Sequence, residues 1–265
     1  MKPAIEKPSD RWALVTGARG SVGGASVRGL VRRNFKIVAI VKDSSDLRGI
    51  AEHLRVDERT IWPVVADLGD EDSWASAMTV IRGAQVHPEV VVNTAAEFGQ
   101  MGGLLDVSAR ELERVFSINF FGLARLANAF VPNMVESRWG RFIHFSSPEG
   151  SGQPKYGNGP YSISKAAGNR YLAHLSLELK ERNVNVHAVH PGEIRSNMWR
   201  YVRDTSKGQQ GLERFVEWAE TTDKHPGSLD VVSECISGLL DNKKSQKLHG
   251  RFLWAQMPEK SEPLV

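Results

Sequence analysis

The sequence predicts an α/β fold, a single-domain doubly wound parallel sheet of about seven strands with helices on both faces. Short apolar runs rich in β-branched residues recur along the chain and alternate with longer helical patterns. Strands that alternate with helices form right-handed βαβ units, which build a parallel sheet covered on both sides. The length of 265 residues and the hydrophobic fraction of 41% suit one domain with a sizeable core.

The predicted strands are, in chain order, WALVTG, KIVAIV, IWPVVAD, VVVNTA, RFIHFSS, VNVHAVHPG and GRFLWA. Helical patterns lie between them at residues 24–33, 112–134, 164–180 and 229–240. Because no repeat or linker interrupts this alternation, residues 1–265 are predicted to form a single domain with a polar tail over about residues 1–10. The least regular stretch, residues 197–226, is predicted to be a mobile lid or, equally, an oligomer contact. Its large side chains are Met198, Trp199, Tyr201, Phe215 and Trp218.

The composition narrows the class of protein. The net charge of +3 is small, and no arginine-rich run or finger motif favours nucleic acid. The single cysteine, Cys235, excludes an internal disulfide framework and a multi-cysteine metal site, and it fits a reducing compartment. The N-terminus MKPAIEKPSD is unlike a signal peptide, and no apolar run reaches the roughly 20 residues of a membrane helix. We therefore expect a cytoplasmic protein without a membrane or nucleic-acid partner.

A glycine-rich turn, TGARGSVGG, follows the first predicted strand. Glycines at this position let the backbone turn sharply and approach a pyrophosphate, which the N-terminus of the next helix then binds. The position at the first strand-to-helix turn favours a nucleotide site, although a tight turn without a ligand would have the same composition.

The end of the second predicted strand bears on which nucleotide binds. A carboxylate there would bind the ribose 2′-hydroxyl and repel a 2′-phosphate. The sequence has Val41 and Lys42 at this point, and Asp43 comes one place too late. Arg19 in the glycine turn adds a second cation, so the pattern favours NADP. The alternative is that Lys42 is a solvated loop lysine.

In combination, the motifs resemble the short-chain dehydrogenase/reductase family over nearly the whole chain. They are TGARGSVG, Asp67-Leu68, NTAA at residues 93–96, INFFG with Asn119, SSPEG with Ser147, YSISK with Tyr161 and Lys165, and HPGEIRS. The resemblance implies a Rossmann-like fold, hydride transfer between NADP(H) and a small carbonyl or alcohol substrate, and a homodimer or homotetramer.

The resemblance also implies roles for individual residues. Tyr161 would be the general acid/base, Lys165 would lower the pKa of its phenol toward neutrality, and Ser147, preferred over Ser146, would hold the substrate oxygen. Asn119 would hold a water beside Lys165, or its amide would simply be satisfied by backbone. The residues expected to bind the cofactor are Gly17, Arg19, Gly20, Ser21, Val22, Gly23, Lys42, Asp67, Leu68, Asn93, Ala95, Tyr161, Lys165, Pro191, Gly192, Ile194 and Ser196. Those expected beside the substrate are Glu149, Glu193, Met198 and Trp199.

Three features depart from the family pattern. Ser21 stands at the usual middle glycine, NTAA replaces the commoner N-N-A-G, and the chain ends in WAQMPEK where many members have D-G-G. None of the three changes a reacting group. The last leaves open how the C-terminus packs in an oligomer.

Other functions remain as alternatives. Ser162 and Lys165 match the S-x-x-K pattern of some hydrolases, but neither S-D-N, K-T-G nor G-x-S-x-G occurs. His187 and His190 are three apart on a predicted strand and point to opposite faces, so no metal site is expected. A non-catalytic NADP-binding sensor with the same fold is a further alternative, and a 3-oxoacyl thioester on an acyl carrier is an alternative substrate.

Overall fold

A computed structural model describes residues 11–264, so the polar tail predicted over residues 1–10 lies outside the described residues. One eight-stranded sheet runs in the order β3-β2-β1-β4-β5-β6-β7-β8. Its strands are β1 Arg11–Thr16, β2 Phe35–Val41, β3 Ile61–Val65, β4 Val90–Asn93, β5 Gly140–Phe145, β6 Val184–His190, β7 Arg251–Trp254 and β8 Met257–Pro263. The first seven pair in parallel, which confirms the predicted doubly wound sheet.

The helices lie between the strands. They are α1 Ser21–Val31, α2 Ile50–Leu54, α3 Glu71–Gly83, α4 Ala109–Phe116, α5 Gly122–Glu136, α6 Gly159–Leu179, α7 Asn197–Ser206, α8 Glu213–Lys224, α9 Leu229–Gly238 and α10 Asn242–Lys247. A π-helical turn, Ser117–Phe121, joins α4 to α5. Short 3-10 turns occur at Ser44–Leu47, Glu58–Thr60, Leu104–Asp106 and Pro148–Gly150.

The core consists of two apolar layers, one on each face of the sheet. One layer joins alternate strand residues to α1 and α9, for example Val15 to Leu30 and Val232. The other joins the opposite strand face to α3, α5 and α6, through side chains such as Leu126 and Leu172. Since successive strand residues point to opposite faces, a sheet covered on both sides needs the continuous apolar runs seen in the sequence.

The sequence analysis found no apolar run as long as a membrane helix, but the structure has one long apolar helical segment, residues 109–136. By length and a mean hydropathy of 1.3 this continuous helical segment could cross a membrane. Half of its apolar window is buried inside the fold, where Leu123 and Phe130 pack against the sheet. The segment is a core helix of the domain, and its apolar side chains are explained by that packing.

Residues 197–226, predicted to be irregular, contain α7 and α8. The hydroxyl of Ser196 accepts from the backbone N–H of Trp199 and so begins α7. Trp199 and Phe215 are buried between these helices and the body of the domain. The prediction failed because the spacing of large apolar residues here is that of two short amphipathic helices. The mobility of the region stays a prediction.

The sheet ends differently from the predicted seven-stranded one. After β7 the chain turns at Ala255 and Gln256 and returns as β8, antiparallel to β7. Polar residues dominate this strand, with the sequence MPEKSEP, so it carries no apolar run that would have predicted it. Both outer strands of the described sheet carry proline, Pro63 in β3 and Pro258 and Pro263 in β8.

Candidate active site

A cleft of about 1120 Å³ lies at the carboxyl ends of the parallel strands. It opens where the strand order reverses between β1 and β4, which is where open α/β sheets bind their ligands. Most residues predicted for the cofactor and substrate line it. They include Gly17, Arg19, Gly20, Ser21, Val22, Gly23, Lys42, Asp67, Leu68, Ala95, Ser147, Glu149, Tyr161, Lys165, Pro191, Gly192, Glu193, Ile194, Ser196, Met198 and Trp199.

The glycine turn is shaped to let backbone approach a ligand. Gly17 has φ of +60°, and a Cβ there would lie 2.8 Å from the Thr94 hydroxyl. A Cβ on Gly23 would lie 2.2 Å from the Gly17 carbonyl oxygen, so only glycine fits. Gly20 caps α1 without a side-chain hydrogen bond, which leaves the first N–H groups of this 11-residue helix directed at the cleft. Unpaired N–H groups and the helix dipole together favour a phosphate at this point.

Two cations stand near the end of β2, and both already hold carboxylates. Arg19 pairs with Asp46 at 3.2 Å and donates to its backbone oxygen. Lys42 lies 3.3 Å from Asp67 and 3.5 Å from Glu97. Asp46 and Glu97 line the cleft but escaped the sequence reasoning, because neither occupies a recognised motif position. A ligand phosphate at these cations would compete with them.

Ser147 and Tyr161 meet at the centre of the cleft. Tyr161 lies near the start of α6, where it is 8% exposed. Ser147 lies in the short loop that follows β5. The Ser147 hydroxyl faces the phenol closely enough to lower its pKa by hydrogen bonding. Ser146, the competing serine, also lines the cleft, but its hydroxyl donates to the Asn169 side chain over 2.6 Å. The structure thus brings Ser147, rather than Ser146, to the tyrosine.

Burial sets the pKa values of the tyrosine and the lysine. Burial raises the pKa of Tyr161 to about 12; the Ser147 hydrogen bond lowers it, while the charges of Glu149 and Glu193 raise it. Burial also lowers the pKa of Lys165 to about 7. Burial thus outweighs any lowering of the phenol pKa in the protein without a cofactor, and the effect of Lys165 on the phenol stays a prediction. At neutral pH the phenol keeps its proton, as a proton donor must.

Lys165 itself is held by backbone. Its ammonium donates to the Phe145 carbonyl oxygen over 2.8 Å, and it lies 5.6 Å from the centroid of the Tyr161 ring. Gly150 lets α6 come this close, because a Cβ there would lie 2.7 Å from the Lys165 carbonyl carbon. The lysine therefore reaches the cleft from beneath the tyrosine.

Two predicted asparagines lie behind the cleft wall. The Asn119 side chain accepts from the Glu97 N–H and donates to the Glu97 oxygen, both over 2.8 Å, and it also donates to Ser164. This is the backbone-satisfied alternative of the sequence analysis. Asn93 is fully buried, where it accepts from Thr16 and contacts His144. It ties β1, β4 and β5 together at their ends, so it positions the cleft rather than lining it.

The loop after β6 is clamped by a residue that no motif indicated. Gly192 has φ of +92°, and a Cβ there would lie 2.3 Å from the Gln256 side chain. The Gln256 amide donates to the oxygens of Pro191 and Ser228, each over 2.9 Å, and accepts from the Ser228 N–H over 3.1 Å. Gln256 therefore joins the loop after β6 to the start of α9.

The outer half of the cleft combines an aromatic wall with two carboxylates. Phe98 stacks on Tyr161 with ring centroids 4.9 Å apart and meets Phe215 edge-on. Glu149 pairs with Lys155 at 2.8 Å and accepts from Asn158. Trp199, predicted beside the substrate, is buried and donates its indole N–H to Ala219, so it mainly packs α7 on α8.

Glu193 is the second of these two carboxylates. It accepts from the Trp218 indole N–H over 2.6 Å, and His190 lies 3.6 Å away. Burial tends to raise its pKa, but the His190 and Trp218 hydrogen bonds and the charge of Lys155 bring the pKa below its ordinary value. Glu193 is thus an ionised group at neutral pH, and 48% of its side chain is exposed to solvent.

The geometry bears on the other chemistries considered. The Ser162 hydroxyl donates to the Glu149 backbone oxygen, and Ser162 does not line the cleft, so the S-x-x-K pattern forms no nucleophile there. His187 is buried and bonds to Ser245 and to the Leu248 oxygen, apart from His190. Within residues 11–264, no group of three or more His, Cys, Asp or Glu side chains gathers as a metal site.

Comparison with known proteins gives concordant sequence matches. The model of the short chain dehydrogenase family matches residues 11–207. A 3-oxoacyl-[acyl-carrier-protein] reductase FabG from Pseudomonas aeruginosa is 30% identical over 77% of this chain and 83% of the relative. The probable short-chain type dehydrogenase/reductase VdlC from Helicobacter pylori is 28% identical over 70% of this chain, and the match spans 65% of that relative, just under two thirds of its length.

Solved structures share the fold. The NADPH dependent reductase YwfH, involved in bacilysin biosynthesis, superposes with a TM-score of 0.80 at 18% identity, covering 95% of this chain and 99% of the other. An actinorhodin polyketide ketoreductase with NADPH gives 0.79 at 22% identity, covering 92% and 95%. L-Sorbose reductase from Gluconobacter frateurii, complexed with NADPH and L-sorbose, gives 0.77 at 20% identity, covering 93% and 95%.

Proposed function

This chain belongs to the short-chain dehydrogenase family and is an oxidoreductase of that family, and from this premise we propose that it is an NADP(H)-dependent reductase of a small carbonyl compound. The observation that carries the proposal is the meeting of Ser147, Tyr161 and Lys165 at the centre of one cleft whose other end is a glycine-rich phosphate cradle. A proton donor, a hydrogen-bond donor for the substrate oxygen and a buried cation are what reduction of a carbonyl requires.

The residues fit a dinucleotide along the cleft. Gly17, Gly23 and the free N–H groups of α1 would hold the pyrophosphate, and Asp67 and Leu68 would border the adenine. Arg19 and Lys42 would hold a 2′-phosphate after leaving Asp46 and Glu97, and no carboxylate stands at position 41 to repel it. The NADPH complexes among the structural relatives agree with this choice. When bound, the cofactor supplies or accepts the hydride.

The protein side of the reaction follows from the three central residues. The hydroxyls of Ser147 and Tyr161 hold the carbonyl oxygen, and Tyr161 gives that oxygen its proton as negative charge develops there. The resulting phenolate is stabilised by the Lys165 charge beneath the ring. In the direction of alcohol oxidation the same groups act in reverse order.

A 3-oxoacyl thioester on an acyl carrier protein is a second candidate substrate, favoured by the 30% identity to the FabG reductase. The third possibility, a sensor that binds NADP without turnover, is disfavoured by the intact catalytic positions. We further propose a cytoplasmic homodimer or homotetramer. Exposed apolar side chains on the helices, Phe121, Ile163 and Leu177, supply surface for such contacts.

The proposal is tested with purified protein, NADPH and NADH, and a broad panel of ketones that includes a 3-oxoacyl thioester. We expect consumption of NADPH by at least one ketone, followed by absorbance. Tight binding of NADPH without consumption across the panel would instead favour the sensor.

A further inference from the structure

Glu193 differs from every other carboxylate that lines the cleft. Among the described residues, Asp46, Asp67, Glu97 and Glu149 each pair with a lysine or arginine. The ion-pair partner of Glu193 is a histidine, His190, which is charged only when protonated. Its shortest contact is the neutral indole N–H of Trp218. Lys155 acts on Glu193 through space, but its ammonium is bound to Glu149.

Glu193 touches one aromatic group, the indole of Trp218, and the cleft it lines has further aromatic walls. Phe98 and Phe215 line the same cleft, with Phe98 stacked on Tyr161. A cation over an aromatic face is attracted by the ring quadrupole, most strongly where water is excluded. A carboxylate bonded to one indole, in a cleft lined by aromatic rings, is therefore a favourable environment for an organic ammonium group and an unfavourable one for a substrate carboxylate.

The negative charge that develops during reduction is a second reason to expect a positively charged group on the substrate. Reduction builds negative charge on the substrate oxygen and then on the Tyr161 phenolate. Burial is the main cause of the raised pKa of Tyr161, and the charges of Glu149 and Glu193 raise it further, so both carboxylates disfavour that negative charge. Lys155 and Arg214 form ion pairs with Glu149, whereas within residues 11–264 no lysine or arginine forms an ion pair with Glu193. A positive group on the substrate would offset Glu193 close to the atoms where negative charge develops.

Resting on the proposed reductase function, we infer that Glu193 selects substrates that carry a protonated amine beyond the carbonyl group. The substrate class is an amino ketone, or the matching amino alcohol in the reverse direction. Its ammonium group would donate to the free lone pairs of Glu193, and its apolar part would pack against Phe98 and Phe215.

The test compares three aryl ketones with the same carbon skeleton, using NADPH and the purified protein. One carries a dimethylammonium group on its chain, the second an isopropyl group in its place, and the third a hydroxyl. We expect kcat/KM to favour the ammonium compound over both others by roughly 10- to 100-fold, the size of a charge-assisted hydrogen bond. Equal values for the ammonium and isopropyl compounds, or a preference for the hydroxyl compound, would overturn the inference.

Variants locate the effect. In Glu193→Gln the preference is expected to fall below about threefold, because the ammonium compound loses its partner and the isopropyl compound no longer meets an uncompensated charge. Glu220→Gln, the same change at an exposed position of α8, should keep the full preference. A preference that survives in Glu193→Gln, with thermal unfolding like that of the parent, would assign it to another residue and overturn the inference.

A binding measurement separates this inference from the proposed function. Calorimetric titration of the NADPH-loaded protein uses the two alcohols that correspond to the dimethylammonium and isopropyl ketones. It reports their affinity without turnover. If no ketone is reduced, the reductase proposal fails, and a tighter amine that needs Glu193 still supports the amine site. If ketones are reduced but both alcohols bind equally, the amine site fails and the reductase proposal stands.

Discussion

The Lys165 ammonium lies over the Tyr161 ring, 5.6 Å from its centroid, which is within the range of a cation–π interaction. The lysine is one helical turn after the tyrosine in α6, and its hydrogen bond goes to Phe145. Its influence on the reaction is therefore electrostatic, while the proton that the substrate receives comes from the tyrosine.

Tyr161→Phe is expected to lower turnover by roughly 10²- to 10⁴-fold, since it removes the proton donor and keeps the ring stacked on Phe98. NADPH affinity should stay near that of the parent. Steady-state rates and fluorescence titration measure both. Tyr171→Phe, a half-buried tyrosine of the same helix, is the matched control. More than a tenth of the parent activity in Tyr161→Phe would mean that the donor is elsewhere.

The low pKa of Lys165 predicts how stability depends on pH. Between the folded pKa of about 7 and the ordinary value of 10.5, the unfolded chain binds a proton that the folded chain does not. The free energy of unfolding should therefore rise with pH across this window, by at most about 1.4 kcal/mol per pH unit for one group. Below pH 7 the full cost of the buried charge is present.

Urea unfolding of the parent and of Lys165→Met at pH 7 and pH 9 measures this effect. Titration of all other groups is common to both proteins, so the difference between their stabilities isolates the lysine. Tyr161 opposes the trend only above its ordinary pKa of 10. A difference that does not change between the two pH values would contradict the buried-charge account.

The preference for NADPH should depend on the end of β2. Val41→Asp combined with Lys42→Ala places a carboxylate near the ribose and removes a cation, so it should erode or reverse the ratio of kcat/KM for NADPH over NADH. Val41 is buried, and Lys42→Ala alone is the variant to measure if the double variant unfolds. Lys180→Ala, an exposed lysine after α6, is the control. Equal efficiency of the parent with both cofactors would refute the assignment.

Gln256→Ala should loosen the loop after β6. It removes three hydrogen bonds, each worth about 0.5–1.5 kcal/mol, and the contact against Gly192. We expect a lower free energy of unfolding and weaker NADPH binding, measured by urea unfolding and fluorescence titration. Gln210→Ala, at an exposed glutamine, should change neither. If cofactor affinity is unchanged in Gln256→Ala, the clamp stabilises the fold only.

Hydrogen exchange tests the predicted lid. The amides of α7 and α8 should exchange faster than those of α6 in the free protein, because these helices are short and cover the cleft from outside the sheet layers, held by bonds such as Tyr201 to Gly99 and Trp218 to Glu193. Exchange should slow when NADPH and a reduced ketone are added together. Equal protection of α6, α7 and α8 in the free protein would leave these helices as part of the rigid core.

Local patterns were enough to predict most of the sheet and the central residues. Runs such as KIVAIV are buried strands because both faces of the sheet are covered. The spacing of the motifs predicted that Ser147 and Tyr161 share one site, and both line the cleft. The strand β8 was missed because an exposed edge strand needs no apolar residues. Helices α7 and α8 were missed because each is short, so the amphipathic spacing of its apolar residues extends over only about three turns.

Long-range contacts explain what the sequence could not predict in the site. Asn119 lies far from Glu97 along the chain, and only the folded contact shows that its amide is already satisfied. Gln256 likewise meets Pro191 across 65 positions. The pKa values of Tyr161 and Lys165 depend on burial, and spacing on a helix carries no information about burial.

The prolines in the two outer strands limit how copies of this protein can assemble. An exposed strand edge offers free N–H and C=O groups to a neighbouring chain, and such pairing leads to continuous intermolecular sheets. Pro63 at one edge, with Pro258 and Pro263 at the other, lack the N–H that this pairing needs. The charges of Glu259, Lys260 and Glu262 further oppose pairing of β8 with the β8 of a second copy. An oligomer of this chain should therefore associate through helices, and its sheets should remain separate.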